Sequence, residues 1–244
     1  MWIWFHKLGS PKYFYDLSGR WLPWLGCATA VCMLVGLYWG LVVAPTDYQQ
    51  GESYRIIFIH VPAAWMSLFV YMIMATSAAI GMIWKLKLSD IIAANCAPLG
   101  ASFTFLALVT GMLWGKPMWG AYWVWDARLT SELILLFLYL GVIALRGAIE
   151  DPRTAARASG ILSLVGVVNI PIIHYSVTWW NTLHQGPTIS RFAAPAMDAS
   201  MLWPLLIMVA AFMLYFAVVL LLRARSDVLV RERQSAWVRA LAQT

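Results

Sequence analysis

Six long apolar runs take up most of this chain and constrain its fold more than any other feature. They cover residues 21–43, 56–84, 91–113, 129–145, 158–177 and 201–222. A helix needs about 20 apolar residues to cross the hydrocarbon core of a bilayer, and in a helix every backbone hydrogen bond is made within the segment. The runs therefore predict an all-α, polytopic membrane protein, in which six transmembrane helices form a single integral membrane domain.

The composition excludes several other classes of protein. Of the 244 residues, 62% are hydrophobic and only 11% are charged, and a water-soluble fold of this size has too little interior to hide so much apolar surface. A soluble enzyme, a nucleic-acid-binding domain and a disordered chain are therefore excluded. The sequence also lacks a GxxxxGK[ST] phosphate-binding loop, so nucleotide hydrolysis by that mechanism would have to come from a partner protein.

The distribution of basic residues predicts how the chain is oriented. With six spans, most Lys and Arg residues fall on the side of the membrane that holds both termini; the exceptions are Arg55, Lys116, Arg128 and Arg191. Because Lys and Arg accumulate on the cytoplasmic side, both termini are predicted to be cytoplasmic. The predicted external loops are then 44–55, 114–128 and 178–200.

The two terminal segments are predicted to contact the inner leaflet. Residues 1–20 combine aromatic and basic residues, which is typical of an interfacial segment, and residues 223–244 form a basic tail with an amphipathic pattern. Attraction of the basic residues to anionic lipid would anchor both segments. Docking of a cytoplasmic partner on the tail is the alternative interpretation.

Charged residues are missing from the interiors of the six runs, since Glu132 lies in the first turn of the fourth. Proton pumps and ion transporters need ionisable groups within the membrane. The sequence therefore argues against a proton-driven pump or an ion transporter.

Two histidines on different external elements are the strongest candidates for chemistry. His60 lies at the outer end of the second run, and His184 lies in the loop after the fifth. One histidine at a helix end is usually structural, but two beside a tryptophan-rich loop favour a metal site, because neutral imidazole binds iron, zinc and copper. Structural zinc needs four ligands, whereas haem supplies four nitrogens itself and needs only two axial imidazoles. Haem is therefore the preferred ligand.

The second external loop offers the aromatic surface that a flat, apolar macrocycle needs. It carries Trp114, Trp119, Trp123 and Trp125 within twelve residues, which is more than an interfacial belt requires. If the segment is helical, Trp119, Tyr122 and Trp123 share one face because they are spaced at i, i+3 and i+4.

Three charged residues complete the candidate site. Arg128 and Arg55 lie on the external side and could pair with haem propionates, since guanidinium groups bind carboxylates well. Asp126 precedes the fourth run, where capping that helix or pairing with Arg128 is favoured over contact with the ligand.

From Trp119 to Thr130 the chain resembles the tryptophan-rich signature, called WWD, of haem-handling proteins. The block HVPAAW at 60–65 and the block SVTWWNTLHQGP at 176–187 resemble those of the CcmC family of cytochrome c maturation proteins. The similarity covers nearly the whole chain, including six spans in matching order. Larger haem lyases and cytochrome c synthases share the WWD signature, so it is the length, the six spans and the two histidine blocks that select the CcmC family.

The resemblance implies a specific function. Members bind haem, here expected to be haem b held transiently, at the periplasmic face of the bacterial inner membrane, with histidines matching His60 and His184 as axial ligands. They pass it to the periplasmic haem chaperone CcmE, and they work with the small membrane protein CcmD and with the CcmA and CcmB subunits of an ABC-type complex. His174 matches no expected ligand, and no enzymatic activity is expected.

Three alternatives remain open at the level of sequence. The chain could be a haem lyase that forms the covalent linkage itself, although it shows no activated nucleophile or matched acid and base. It could be a transporter that moves haem through its own helix bundle. It could also be a structural or quinone-linked subunit with haem buried in the bundle, against which the external positions of His60 and His184 argue.

Overall fold

The computed structural model describes residues 9–180, 182–184, 186 and 197–241, and within these ranges it contains helices and no β-strand. The α-helices are α1 (Pro11–Tyr38), α2 (Ile57–Trp84), α3 (Lys87–Trp119), α4 (Ala127–Ala148), α5 (Pro152–Val165), α6 (Asn169–Trp179), α7 (Ala199–Arg231) and α8 (Ala236–Leu241). A π-helical turn, Trp39–Val43, extends α1, and short 3-10 segments, Glu52–Ile56 and Gly166–Val168, precede α2 and join α5 to α6.

The described helices include six that are long and apolar enough to cross a membrane, which confirms the predicted fold class. They are Pro11–Val43, Glu52–Trp84, Lys87–Trp119, Ala127–Ala148, Pro152–Trp179 and Ala199–Arg231. The fifth is composite, since α5, the 3-10 turn and α6 follow one another without a break. Each predicted apolar run lies inside one of these helices, so we treat the chain as a multi-pass membrane protein.

The helices extend beyond the apolar runs, and one predicted loop boundary was wrong for this reason. Residues 11–20 form the start of α1, and residues 1–8 lie outside the described part of the chain, so an interfacial position of residues 1–20 stays a prediction. Residues 223–231 of the basic tail continue α7, and the position of this tail at the membrane also stays a prediction. The loop between α3 and α4 is 120–126 rather than 114–128, because α3 continues to Trp119. Hydropathy detects the hydrocarbon core, whereas backbone hydrogen bonding continues a helix into the polar interface.

The core lies between α2, α3 and α4, with α7 packed on its other side and α1 packed mainly on α7. Tyr71 of α2 meets Tyr139 of α4 edge to face, with ring centroids 5.0 Å apart, and the Tyr139 hydroxyl donates to the backbone carbonyl of Ser67 at 2.7 Å. Along α1, by contrast, large apolar side chains such as Trp24 and Leu34 are exposed. Such a surface suits lipid rather than water.

The helices alternate in direction, which places two sets of polar residues at opposite ends of the bundle. The histidine end holds the starts of α2 and α4, the end of α3 and the residues after α6. The arginine end holds the start of α3 and the ends of α4 and α7. There Asp90 accepts hydrogen bonds from Arg146 and, at 2.6 Å, from Arg231. Arg225 of α7 lies over the Tyr15 ring of α1, so the first and last long helices bring both ends of the described chain to the arginine end.

Candidate functional site

The loop between α3 and α4 begins where α3 is stopped by a glycine. Gly120 has φ +77°, a left-handed conformation that glycine adopts without steric cost. Its amide donates to the Lys116 carbonyl at 3.1 Å, and the Lys116 ammonium donates to the Gly120 carbonyl at 3.0 Å. These bonds close the helix end and turn the chain toward Asp126, which caps α4.

The loop is not helical, so the predicted shared face of Trp119, Tyr122 and Trp123 is wrong. Trp119 stays on the last turn of α3 and packs against the His184 ring, with centroids 4.8 Å apart. Tyr122 is exposed beneath the Lys116 ammonium, which lies 5.4 Å from the ring centroid. Trp123 packs edge to face against Trp125 at 5.2 Å. The left-handed Gly120 ends the helical periodicity on which the prediction depended.

His60 lies in the first turn of α2 and packs against one face of α3. Its Nδ1 lies 3.0 Å from the Ala107 carbonyl oxygen and 3.0 Å from the Thr110 hydroxyl. The Trp114 ring meets the imidazole edge to face at 5.7 Å. A Cβ on Gly111 would come within 3.1 Å of the His60 Cε1, so glycine at this position permits the close approach. Four positions of α3 thus enclose the ring.

The hydrogen bonds at His60 determine which ring nitrogen is available to a metal. A backbone carbonyl can only accept, so the contact with Ala107 requires a proton on Nδ1. In the neutral imidazole, Nε2 then carries the lone pair. His60 is therefore prepared to bind a metal through Nε2.

His184 is held in the corresponding way, by Asp126. One carboxylate oxygen of Asp126 accepts from the Leu129 amide at 2.8 Å, which caps α4, and the other lies 2.9 Å from Nδ1 of His184. The Asp126 side chain therefore has the predicted capping role and also contacts His184, a candidate metal ligand. The carboxylate keeps the proton on Nδ1, so Nε2 of His184 is the ring nitrogen that could bind a metal.

The environment of His184 keeps the imidazole neutral. Burial lowers its pKa because it disfavours the charged imidazolium. The Asp126 carboxylate acts in the opposite direction, and the positive charge of Arg128 adds to the lowering. A neutral ring is the form that binds a metal.

The structure brings the two imidazoles to the same end of the bundle and against the same helix. Trp114, which contacts His60, and Trp119, which contacts His184, are five residues apart on α3. The Arg128 guanidinium lies at the start of α4, and its positive charge contributes to the lowered pKa of His184. The convergence depends on this helix end, since the two histidines are 124 positions apart in sequence.

Two other residues considered from the sequence lie apart from the pair. Arg55 donates to the Gly40 carbonyl at 2.9 Å and forms an ion pair with Glu52, so its guanidinium is engaged near the end of the first span. A role for Arg55 with propionates stays a prediction. His174, on α6, is exposed and meets the Tyr175 ring edge to face at 4.7 Å.

The candidate site also holds a buried donor without a partner. The indole nitrogen of Trp123 is buried and makes no hydrogen bond among the described residues. A buried donor left unpaired is costly, and a carboxylate from a bound molecule would satisfy it. Over the same part of the chain, no three His, Cys, Asp or Glu side chains cluster in a way that could hold a metal ion. The donors that the site offers are two imidazole nitrogens, and this set fits a metal whose remaining ligands come from the bound molecule itself.

Sequence reasoning missed the residues that fix His60. Neither Gly111 nor Thr110 was identified from the sequence as a residue of the site. Ala107, Gly111 and Trp114 are spaced at i, i+4 and i+7, which places them on one helical face. This spacing marks a stripe on α3, but nothing in the sequence indicates that the stripe faces His60.

Comparisons with known proteins all match this chain to one family. The family model CcmC, described as Heme exporter protein C, matches residues 4–239. The chain is 53% identical to Heme exporter protein C of Escherichia coli strain K12 over 242 residues, which cover 99% of this chain and 97% of the relative. It is 47% identical to the protein of the same name from Haemophilus influenzae over 244 residues, covering 100% and 99%. A third relative of that name, from Bradyrhizobium diazoefficiens, is 50% identical over 228 residues, covering 93% and 86%.

Proposed function

This chain belongs to the CcmC family of heme exporter proteins, and on that premise we propose that it binds haem b transiently at its histidine end and delivers it to a haem chaperone. The family assignment gives the coarse function, which is the handling of haem for cytochrome c maturation. The proposal adds the site, the two axial ligands and the direction of transfer.

One observation carries the proposal: two imidazoles at one end of the bundle each have Nδ1 bound to an acceptor. The acceptor is the Ala107 carbonyl for His60 and the Asp126 carboxylate for His184. Second-sphere bonds of this kind fix the tautomer and orientation of a metal-binding histidine. The porphyrin supplies the four equatorial nitrogens, so two axial Nε2 atoms complete the coordination of the iron.

The surrounding residues suit the rest of the haem molecule. Trp114, Trp119, Trp123 and Trp125, together with Tyr122, provide aromatic surface for the macrocycle. The Arg128 guanidinium and the Trp123 N–H, which has no partner among the residues that the structure describes, could donate to propionates. Trp125 is 74% exposed, and a site at this boundary is open to an approaching acceptor.

The unequal partners of the two histidines favour release as well as capture. A carboxylate acceptor makes an imidazole a stronger metal ligand than a carbonyl acceptor does. His184, which is bound to Asp126, should therefore be a stronger ligand than His60, which is bound to the Ala107 carbonyl. We therefore propose that His184 is the more tightly bound ligand and that His60 yields first during transfer. An acceptor could then take one axial position while the other is still occupied.

The partners and the location follow from the family in the same way. We propose that the histidine end faces the periplasm from a bacterial inner membrane, that the acceptor is CcmE, and that CcmD and the CcmA and CcmB subunits assemble with the chain. We also propose that the chain is not an enzyme. Incubation of the purified chain with haem and acceptor alone should then yield no covalent adduct, whereas an adduct would assign it lyase activity.

The ligand assignment is tested by absorption spectroscopy of the purified, haem-loaded protein. His60→Ala and His184→Ala should each lower haem occupancy or shift the Soret band, because each removes one axial nitrogen. His174→Ala is the matched control and should leave both unchanged, since His174 is exposed and packs on the neighbouring Tyr175. Unchanged spectra for both His60→Ala and His184→Ala would refute the assignment.

A further inference from the structure

The first external loop reaches the candidate site through one side chain. The Trp114 indole nitrogen donates to the Gln50 side-chain oxygen at 3.1 Å, and the same indole packs against His60 at 5.7 Å. We propose that Gln50 is a positioning residue that holds Trp114 against His60 and so fixes the plane of this imidazole. The inference rests on the proposed function, in which His60 is an axial ligand of haem.

The loop holds Gln50 in a defined place. The Asp47 carboxylate accepts from the amides of Gln49 at 2.9 Å and Gln50 at 2.8 Å, and the Asp47 carbonyl accepts from the Gly51 amide at 3.0 Å. The Gln50 carbonyl accepts from the Ser53 hydroxyl at 2.5 Å. Side-chain acceptors that bind amides two and three residues ahead stabilise a tight turn. The Gln50 backbone is therefore fixed by local bonds.

The loop is also attached to the helices on both sides. The Tyr54 hydroxyl donates to the Pro45 carbonyl at 2.5 Å, and Tyr54 itself is buried. Arg55 donates to the Gly40 carbonyl at the end of the first span. The 3-10 segment Glu52–Ile56 then leads directly into α2, which carries His60. Gln50 and His60 are thus held by one connected piece of structure, with Trp114 between them.

The bond between Gln50 and Trp114 matters because the hydrogen bonds of His60 leave its imidazole ring free to rotate about one axis. Ala107 and Thr110 both bind Nδ1, so they fix the position of that atom but restrain the ring plane less. The Trp114 ring meets the imidazole at 69° and forms a side wall. Without the Gln50 acceptor the half-buried indole N–H loses its partner, and the indole can leave this orientation for another rotamer.

A chain of contacts of this kind predicts a specific spectroscopic effect. The electron paramagnetic resonance signal of low-spin ferric haem depends on the angle between its two axial imidazole planes. Gln50→Leu removes the acceptor while retaining similar volume, and Trp114→Phe removes the donor while retaining an aromatic ring. Each should shift this signal and speed haem loss by about fivefold, the factor that corresponds to one hydrogen bond of about 1 kcal/mol.

Three controls separate positioning from a general effect on the loop. Gln49→Ala changes the exposed neighbour, whose backbone bond to Asp47 is retained, and should leave signal and haem loss unchanged. Gln50→Glu keeps an acceptor oxygen and should restore near-parental behaviour. The double variant Gln50→Leu/Trp114→Phe should be no worse than Trp114→Phe alone, because both substitutions remove the same bond.

Additive effects in the double variant, an effect of Gln49→Ala equal to that of Gln50→Leu, or an unshifted signal in both single variants would overturn the inference. If Gln50→Leu is recovered poorly, Trp114→Phe and Gln50→Glu decide the question. Failure of the proposed function is distinguishable, because His60→Ala and His184→Ala would then both leave the haem spectrum unchanged. If His60→Ala changes the spectrum and the Gln50 and Trp114 variants do not, only the positioning role is refuted.

Discussion

The two ends of the bundle differ in how completely their polar groups are paired. At the arginine end, Asp90 is bound by two arginines from different helices, and the Asn95 amide donates to Asp227 at 2.6 Å while its carbonyl accepts from Arg223 at 2.9 Å. At the histidine end, each of the two imidazoles is bound through Nδ1, and the buried Trp123 indole nitrogen has no partner among the described residues.

The difference separates a structural role from a binding role. Matched ions between α3, α4 and α7 satisfy one another and hold the helices together, so little capacity remains for a ligand. Groups that are oriented but incompletely paired have a cost in the empty protein, which a bound molecule can remove. The comparison predicts that substitutions at the arginine end change stability and leave haem affinity unchanged, whereas those at the histidine end change haem affinity.

The largest expected effect is that of Asp90→Ala on stability. The substitution leaves Arg146 without its partner, and the Arg146 side chain is 18% exposed. Removing one partner from a largely buried pair costs about 3 kcal/mol or more. Thermal unfolding in detergent should show a clear fall in the midpoint, while the Soret band of the folded fraction stays in place. Lys87→Ala is the control, because Lys87 is exposed and its pair with Glu232 should contribute under about 1 kcal/mol. A shifted Soret band in Asp90→Ala would contradict the purely structural role of the arginine end.

Asp126→Asn should have the largest effect on haem binding among the substitutions that retain both histidines. Asparagine caps helices as well as aspartate does, so stability should change little. Loss of the carboxylate removes the fixed acceptor of the His184 Nδ1, and loss of such a second-sphere partner typically costs about 10- to 100-fold in metal affinity. Haem titration measures this change. Asp126→Ala should add a fall in the thermal midpoint, because it also removes the cap, and equal midpoints for the two variants would contradict the double role.

Gly111→Ala should have a smaller effect on the same site. The added methyl would lie 3.1 Å from Cε1 of His60, so the ring must move by a few tenths of an ångström, and overpacking of this kind costs about 1 kcal/mol or more. We expect a few-fold faster haem loss and a shifted resonance signal. Gly26→Ala is a suitable control, since nothing lies within 4 Å of a Cβ at that position. Equal haem loss in the two variants would show that α3 does not confine His60.

The smallest expected effect is that of Asp151→Ala. Asp151 caps α5 as Asp126 caps α4, but it contacts no histidine among the described residues. Asp151 accepts from the Thr154 amide at 2.8 Å and from its hydroxyl at 2.6 Å. These bonds hold the pKa of Asp151 below its usual value because they stabilise the ionised carboxylate. Since the folded pKa is the lower one, the cap stabilises fully above the unfolded value of about 3.9 and fades as pH falls through the folded value.

Asp151→Ala should therefore lower the thermal midpoint slightly at neutral pH, by an amount that shrinks in acid, with haem affinity unchanged. Thermal unfolding at a series of pH values, with parallel haem titrations, measures both. A loss of haem affinity comparable to that of Asp126→Ala would show that capping, rather than the contact with His184, explains the importance of Asp126.

Much of the fold and part of the candidate site could be predicted from the sequence. The six spans were predictable because each needs a local run of apolar residues, and His60, His184 and the WWD residues stood out by type and position. The helix ends at Arg231 and Trp119 were not predictable, because polar residues continue a helix outside the hydrocarbon core. The face shared by Trp119, Tyr122 and Trp123 was predicted for a helical segment, and the left-handed turn at Gly120 ends the helix before Tyr122 and Trp123.

Local composition by itself determined that this chain is a six-span helical membrane protein, because the free energy of placing a segment in lipid is close to a sum over its own residues. Only the tertiary structure decided that the stripe of α3 from Ala107 to Trp114 encloses His60, that Asp126 both caps α4 and binds His184, and that Gln50 reaches Trp114. These contacts join residues up to 64 positions apart, and such pairings depend on how helices pack rather than on the character of any one segment.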